Sequence, residues 1–294
     1  MTVDVIIVGG SYAGISAGLQ LGRARRSVLV VDAGQRRNRF AASSHGFLGQ
    51  DGRDPAEIAR VARGELLAYP TVTWRDDPAV AARPVGDGFA IALASGVEVE
   101  ARRVVLASGV VDELPEVPGL AERWGTHVFH CPYCHGYELG RGRIGVIATT
   151  ALSIHHALLI SEWGETTLFT RGGFEPDAEQ ARALAARGVA VEAAPVAAIE
   201  GDAEVRLVDG RRLGFAGLFV TSRTRVANPL VGQLGCALED SPIGAFVQTD
   251  AMRETTVRGV FACGDLAVAA GSVAIAVGDG VRAGISAHQS LVFR

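Results

Sequence analysis

The chain has 294 residues, 48% of them hydrophobic, with 37 glycines and only 6% aromatics; that length suits about two domains of ordinary size. A formal net charge of −4 and an isoelectric point near 6.0 leave no basic surplus to neutralise phosphates, which argues against nucleic acid as a partner. No apolar run approaches a membrane span and no charged leader precedes the first strand, so a cytoplasmic protein away from the membrane is expected. Of four cysteines, Cys131 and Cys134 are spaced C-x-x-C, a pattern of redox chemistry more than of a secreted disulfide framework.

In chain order, residues 3–8 read as a buried strand, 10–23 as a helix and 27–32 as a second strand, a parallel right-handed βαβ unit. Segments 71–74, 89–93 and 97–99 suggest an antiparallel excursion, and 104–107 returns as a strand ending at Ser108-Gly109. Pro115, Pro118 and Gly119 mark a crossing into a second unit. There a strand over 143–147, a helix over 151–163 and a strand over 166–170 form another βαβ. A helix over 177–187 and strands near 189–192, 205–208 and 218–221 follow. Asn228-Pro229 leads back to a strand over 260–262 and a last helix over 272–291. The expected fold class is α/β: two Rossmann-like, three-layer nucleotide-binding domains, the second inserted in the first. Residues 1–114 and 245–294 make the FAD-binding domain, and residues 115–244 an NAD(P)-binding-like domain carrying the C-x-x-C.

Gly9, Ser11 and Gly14 occupy the slots of G-x-G-x-x-G between the first strand and helix. Bare backbone there lets a pyrophosphate approach the helix N-terminus, where free N–H groups and the dipole favour negative charge. Asp32 ends the next strand about 20 residues on, where a carboxylate reaches ribose hydroxyls. This loop alone does not separate FAD from NAD. The late segment Gly259-Val260-Phe261-Ala262-Cys263-Gly264-Asp265 does. It resembles the G-x-x-A-x-G-D signature of two-domain flavoprotein disulfide reductases, in which the aspartate holds the flavin's ribityl chain. Ser272 and Val273 then open the last helix, whose positive N-terminus would stabilise reduced, anionic flavin.

Together with Ala107-Ser108-Gly109 and the C-x-x-C between them, these segments resemble the low-molecular-weight thioredoxin reductases over nearly the whole chain. Within that family, Cys131-Pro132-Tyr133-Cys134-His135-Gly136-Tyr137-Glu138 is similar to the dithiol oxidases that close disulfides in natural products such as gliotoxin and holomycin. Thioredoxin reductases usually carry Asp after the second cysteine, where this chain has His135. The resemblance implies FAD as cofactor, a place for Gly109 in its site, Cys134 facing the flavin, Cys131 exchanging with substrate, and a homodimer. Either thiolate is favoured if the motif starts a helix. His135 is the natural proton acceptor, with His130 the weaker candidate and His127 and Glu138 equally well structural. C-x-x-C-H also spells a c-type haem attachment, which needs export, and a zinc site would be short of ligands; no metal is expected. Cys236 and Cys263 read as inert, buried residues.

A reductase needs a second glycine loop for its nicotinamide nucleotide. Here the strand 144–147 runs into Ala148-Thr149-Thr150-Ala151-Leu152-Ser153, with Ala148 and Thr150 where two glycines are needed. Their Cβ atoms occupy the space of a pyrophosphate. The arginine pair of the family's 2′-phosphate site is reduced to Arg171, and His155 and His156 read as surface or interface residues. Electrons would then enter from a small-molecule dithiol and leave to dioxygen, giving hydrogen peroxide. The alternatives are an NAD(P)H-dependent disulfide reductase and a flavin-binding sensor without turnover. Phe40, Phe47 and Leu48 are candidates for a substrate pocket, and equally for packing at the flavin edge or a dimer interface.

Overall fold

A computed structural model describes residues 2–294. Its first unit opens with β1 (Thr2–Val8), α1 (Tyr12–Arg23) and β2 (Val28–Val31). The strands are parallel, with Val5 opposite Val28, and their Val/Ile runs are buried on both faces, as strands covered by two layers must be. Next comes α2 (Pro55–Leu67), absent from the sequence-based expectation; Asp54 caps it by accepting from the Ala56 N–H, and Pro55 opens it. β3 (Val72–Arg75) joins β2, while β4 (Ala79–Val85), β5 (Gly88–Leu93) and β6 (Glu98–Leu106) form the antiparallel excursion. β6 is one long strand where two separate segments were expected. Its first half pairs with β5, and from Glu100 to Leu106 it lies parallel to β1.

β7 (Val111–Glu113) leads into the insert. That unit holds β8 (Val128–Phe129), α3 (Pro132–His135), β9 (Arg141–Ile147), α4 (Leu152–Ile160), β10 (Gly164–Phe169), α5 (Ala178–Ala186) and β11 (Ala190–Glu192). A small antiparallel sheet of β12 (Val196–Glu200), β13 (Glu204–Leu207) and β14 (Arg212–Gly214) follows, then β15 (Gly217–Val220). The insert's main sheet is parallel throughout, in the order β11-β10-β9-β15-β8. Separate apolar clusters cover its two faces, one around Phe169 and Leu218 and one around Val146 and Phe219.

The chain returns through β16 (Arg223–Arg225), α6 (Pro229–Gln233), β17 (Leu238–Ser241) and β18 (Gly244–Val247), then ends with β19 (Val260–Ala262) and α7 (Val273–Phe293). Residues 223–244, expected in the insert, pack instead with the first unit. β16 pairs with β7, and Leu230, Val231, Leu234 and Cys236 share a core with β1, β5 and β6. The physical cause is the apolar face of α6, capped by Asn228, which buries against that core. β19 lies parallel to the second half of β6, and α7 packs along α1. The expected α/β class with two three-layer units is thus what the chain adopts. Among the described residues no helix is long and apolar enough to cross a membrane.

Candidate active site

The first glycine loop is built by close backbone approach. Gly9 has φ +110°, and a Cβ on it would run into the Ala107 carbonyl; one on Gly14 would strike the carbonyl of Gly9. Ser11 is the N-cap of α1 but makes no side-chain cap, leaving first-turn amides and the dipole's positive end for an anion. Asp32, half-buried at the end of β2, accepts from the Gly10 N–H at 3.0 Å. Gly109 follows the Ala107 contact with φ +65° and open space around it. Gly264 has φ +68° and leans on Ala13 in the first turn of α1. Its N–H donates to the buried Asp279 at 2.8 Å, and Asp279 is ion-paired with Arg253. Ser272 caps α7 by accepting from the Ile275 N–H, and Val273 is its first residue. The loop, the end of β6 and the Gly264-Asp265 turn therefore converge on the start of α1. A cradle without Cβ atoms, a free helix N-terminus and two carboxylates at its rim fit FAD.

One central side chain left no sequence signal. Arg37 donates through Nε and Nη2 to both oxygens of Asp112, at 2.8 and 2.6 Å, and through Nη1 to Asp265 at 2.8 Å. Ser222 donates to the same Asp112 at 3.1 Å. Burial presses the Asp112 carboxyl upward, but the Arg37 hydrogen bonds and charge hold it below the usual range. Asp265, expected to hold the ribityl chain, thus belongs to a charge cluster reaching both crossings between the units.

Cys131 and Cys134 form a disulfide with Cα atoms 5.3 Å apart. Cys131 is the N-cap of α3, Pro132 opens it, and Cys134 lies in its only turn. Tyr133 and Tyr137 on either side of Cys134 are 71% and 86% exposed. His135 lies flat on Phe129, with ring centroids 4.3 Å apart and planes at 16°. Both its nitrogens are buried without a hydrogen-bond partner. Burial lowers its pKa, against the pull of Glu138 and of the Cys131 backbone. His130, on the other side of the disulfide, is pushed down to about 4 by burial and by Arg37, against the attraction of Asp112. The motif lies close to the first unit: Glu138 faces His45 at 3.4 Å, and Phe40 packs against Gly125.

The second nucleotide loop satisfies itself. The Thr149 N–H donates to Ser153 Oγ at 3.1 Å and the Leu152 N–H to Thr150 Oγ1 at 3.3 Å. Thr149 Oγ1 donates to the Thr221 carbonyl at 2.8 Å, and Arg171 turns back onto the Ala148 carbonyl at 3.4 Å. Two amides at the mouth of the loop, those of Thr149 and Leu152, are thus taken by the loop's own hydroxyls. His156, expected at the surface or an interface, is half-buried, with Nδ1 3.1 Å from Thr221 Oγ1; His155 is exposed. Cys236 and Cys263 are buried, free thiols whose pKa values burial raises, so neither supplies a thiolate near neutral pH.

The profile of the pyridine nucleotide-disulphide oxidoreductase family matches residues 3–280. The chain is 32% identical to thioredoxin reductase sirT of Leptosphaeria maculans, over 96% of this chain and 92% of that protein. Its fold superposes on the oxidoreductase from Agrobacterium tumefaciens with a TM-score of 0.98 at 55% identity, covering 100% and 99% of the two chains. With the crystal structure of HlmI the TM-score is 0.92 at 34% identity, covering 99% and 93%.

Proposed function

The chain belongs to the pyridine nucleotide-disulphide oxidoreductase family, and from that premise we propose that it is a dithiol oxidase closing an intramolecular disulfide in a small molecule, with dioxygen as electron acceptor. The chain is a thiol/disulfide oxidoreductase, and FAD is its cofactor. One observation carries the finer reading: an intact Cys131–Cys134 disulfide beside a nucleotide loop in which the Thr149 and Leu152 amides are engaged by the loop's own hydroxyls. The partners under this reading are a small dithiol, dioxygen and, on the family resemblance, a second copy of the chain.

A substrate thiolate attacks Sγ of Cys131; the bond between the two enzyme sulfurs breaks, and Cys134 leaves as a thiolate. The second substrate thiolate attacks the substrate sulfur bound to Cys131, which forms the product disulfide and releases Cys131 with the electron pair. His135, neutral and without a partner, accepts a proton from the incoming thiol. Cys134 lies in the only turn of α3, close to that turn's positive end, which favours its thiolate. When bound, FAD would supply the two-electron acceptor for the reduced cysteines, with dioxygen and two protons as the final sink, giving hydrogen peroxide. Gly9, Ser11, Gly14, Asp32, Gly109, Gly264, Asp265, Ser272 and Val273 would hold it.

The test is anaerobic. A small dithiol should bleach the flavin absorbance of the purified protein, whereas NADPH and NADH should not. Rapid bleaching by NADPH would make the protein a reductase and sink the oxidase reading. In Cys134→Ser, FAD should stay bound while dithiol-dependent bleaching falls below detection; bleaching at the wild-type rate would remove Cys134 from its assigned role.

A further inference from the structure

We propose that His156, in the first turns of α4, is a positioning residue for the redox disulfide, so that the former nucleotide loop now serves as the rear support of the active site. The inference rests on reading Cys131–Cys134 as the reacting pair.

β8, the strand that delivers the motif, is two residues long and lies at the sheet edge, joined in the main sheet only to β15. So short an edge strand fixes its own end weakly. Cys131 follows two residues after Phe129, and what holds Phe129 therefore sets where the disulfide lies. A row of four rings does this. His156 meets Phe219 edge-on at 6.0 Å and 81°. Phe219, fully buried in β15, meets Phe129 at 5.8 Å. Phe129 carries His135 flat against it. Such ring pairs contribute beyond the area they bury.

The near end of that row is anchored by polar contacts. His156 Nδ1 lies 3.1 Å from Thr221 Oγ1, and Ser153 Oγ lies 3.4 Å from the same hydroxyl. Thr149 Oγ1 holds the Thr221 carbonyl. The backbone of His130, the residue before Cys131, faces the same imidazole. A ring fixed through its nitrogen and its edge transmits its position along Phe219 and Phe129 to both sides of the disulfide.

The experiment compares His156→Ala, His156→Phe and Thr221→Val with wild type. One readout is the dithiol–disulfide equilibrium of the cysteine pair in glutathione buffers, followed by thiol alkylation and mass. The other is anaerobic flavin bleaching by dithiothreitol, resolved into maximal rate and half-saturation. His156→Ala should move the equilibrium constant at least about threefold, the scale of coupling between contacting groups. It should also lower the maximal rate with half-saturation unchanged. His156→Phe, which keeps the ring row, should restore most of the rate, and Thr221→Val should shift the equilibrium in the same direction as alanine. Wild-type equilibrium and rate in His156→Ala, or equal losses in the alanine and phenylalanine variants, would overturn the proposal. Should the wild-type cysteines fail to titrate as a couple, the reading of the site falls and this inference with it.

Discussion

Arg37 shows how one residue can join a site that its neighbours in sequence do not announce. Its partners stand 75 and 228 positions away, so no local spacing reveals it. Gly9, Ser11, Gly14 and Asp32, by contrast, lie within one βαβ unit, where local spacing alone is enough to propose them. The inward side of His156 was hard to read for a related reason: α4 has no amphipathic stripe to say which side is inward. Asp112 is only 7% exposed at its side chain, and removing one partner of a buried pair strands the other charge. Arg37→Met should therefore lower unfolding free energy by about 3 kcal/mol and speed FAD loss on gel filtration. A denaturant titration of Arg37→Met and Arg37→Met/Asp112→Asn checks it; the double variant should recover part of the loss. No loss in the single variant would dismiss the bridge as a stabilising element.

Among elements, α1 and α7 cross in a close seam. Cβ atoms on Gly280 and Gly284 would run into the backbone at Ala13 and Ala17, so the two helices touch main chain to main chain. Gly284→Val should overpack that seam and destabilise by about 2 kcal/mol, read as a lower denaturation midpoint with unchanged cooperativity. An unchanged midpoint would mean that the helices separate freely. The long elements of both sheets were readable because buried parallel strands appear as unbroken Val/Ile runs. α2 was not, because its charged residues dilute the apolar periodicity and its signal is the Asp54-Pro55 start. The short strands β7, β8 and β16 escaped notice because two or three residues carry no period at all. For the same reason, the return from the insert was placed some twenty residues late.

For the molecule as a whole, two half-buried imidazoles set a limit in acid. His130 and His156 are each pushed from 6.5 to about 4, with burial the leading cause. Between those values the unfolded chain binds protons that the folded chain refuses, so stability is complete above pH 6.5 and drains as pH falls toward 4. At pH 5 each histidine costs about 2 kcal/mol. Urea midpoints at pH 7.5 and 5 test this; equal midpoints would show that both rings protonate freely in the fold. The register of the two crossing strands has a separate consequence. Glu113 lies directly opposite Arg223 in the antiparallel pair of β7 and β16. The ends of the insert therefore already meet at the spacing of a hairpin. Excising residues 114–222 and splicing Asn-Gly between Glu113 and Arg223 would complete a two-residue turn. The gene could thus be shortened to a one-domain cassette, and the same seam offers a graft point for a foreign module.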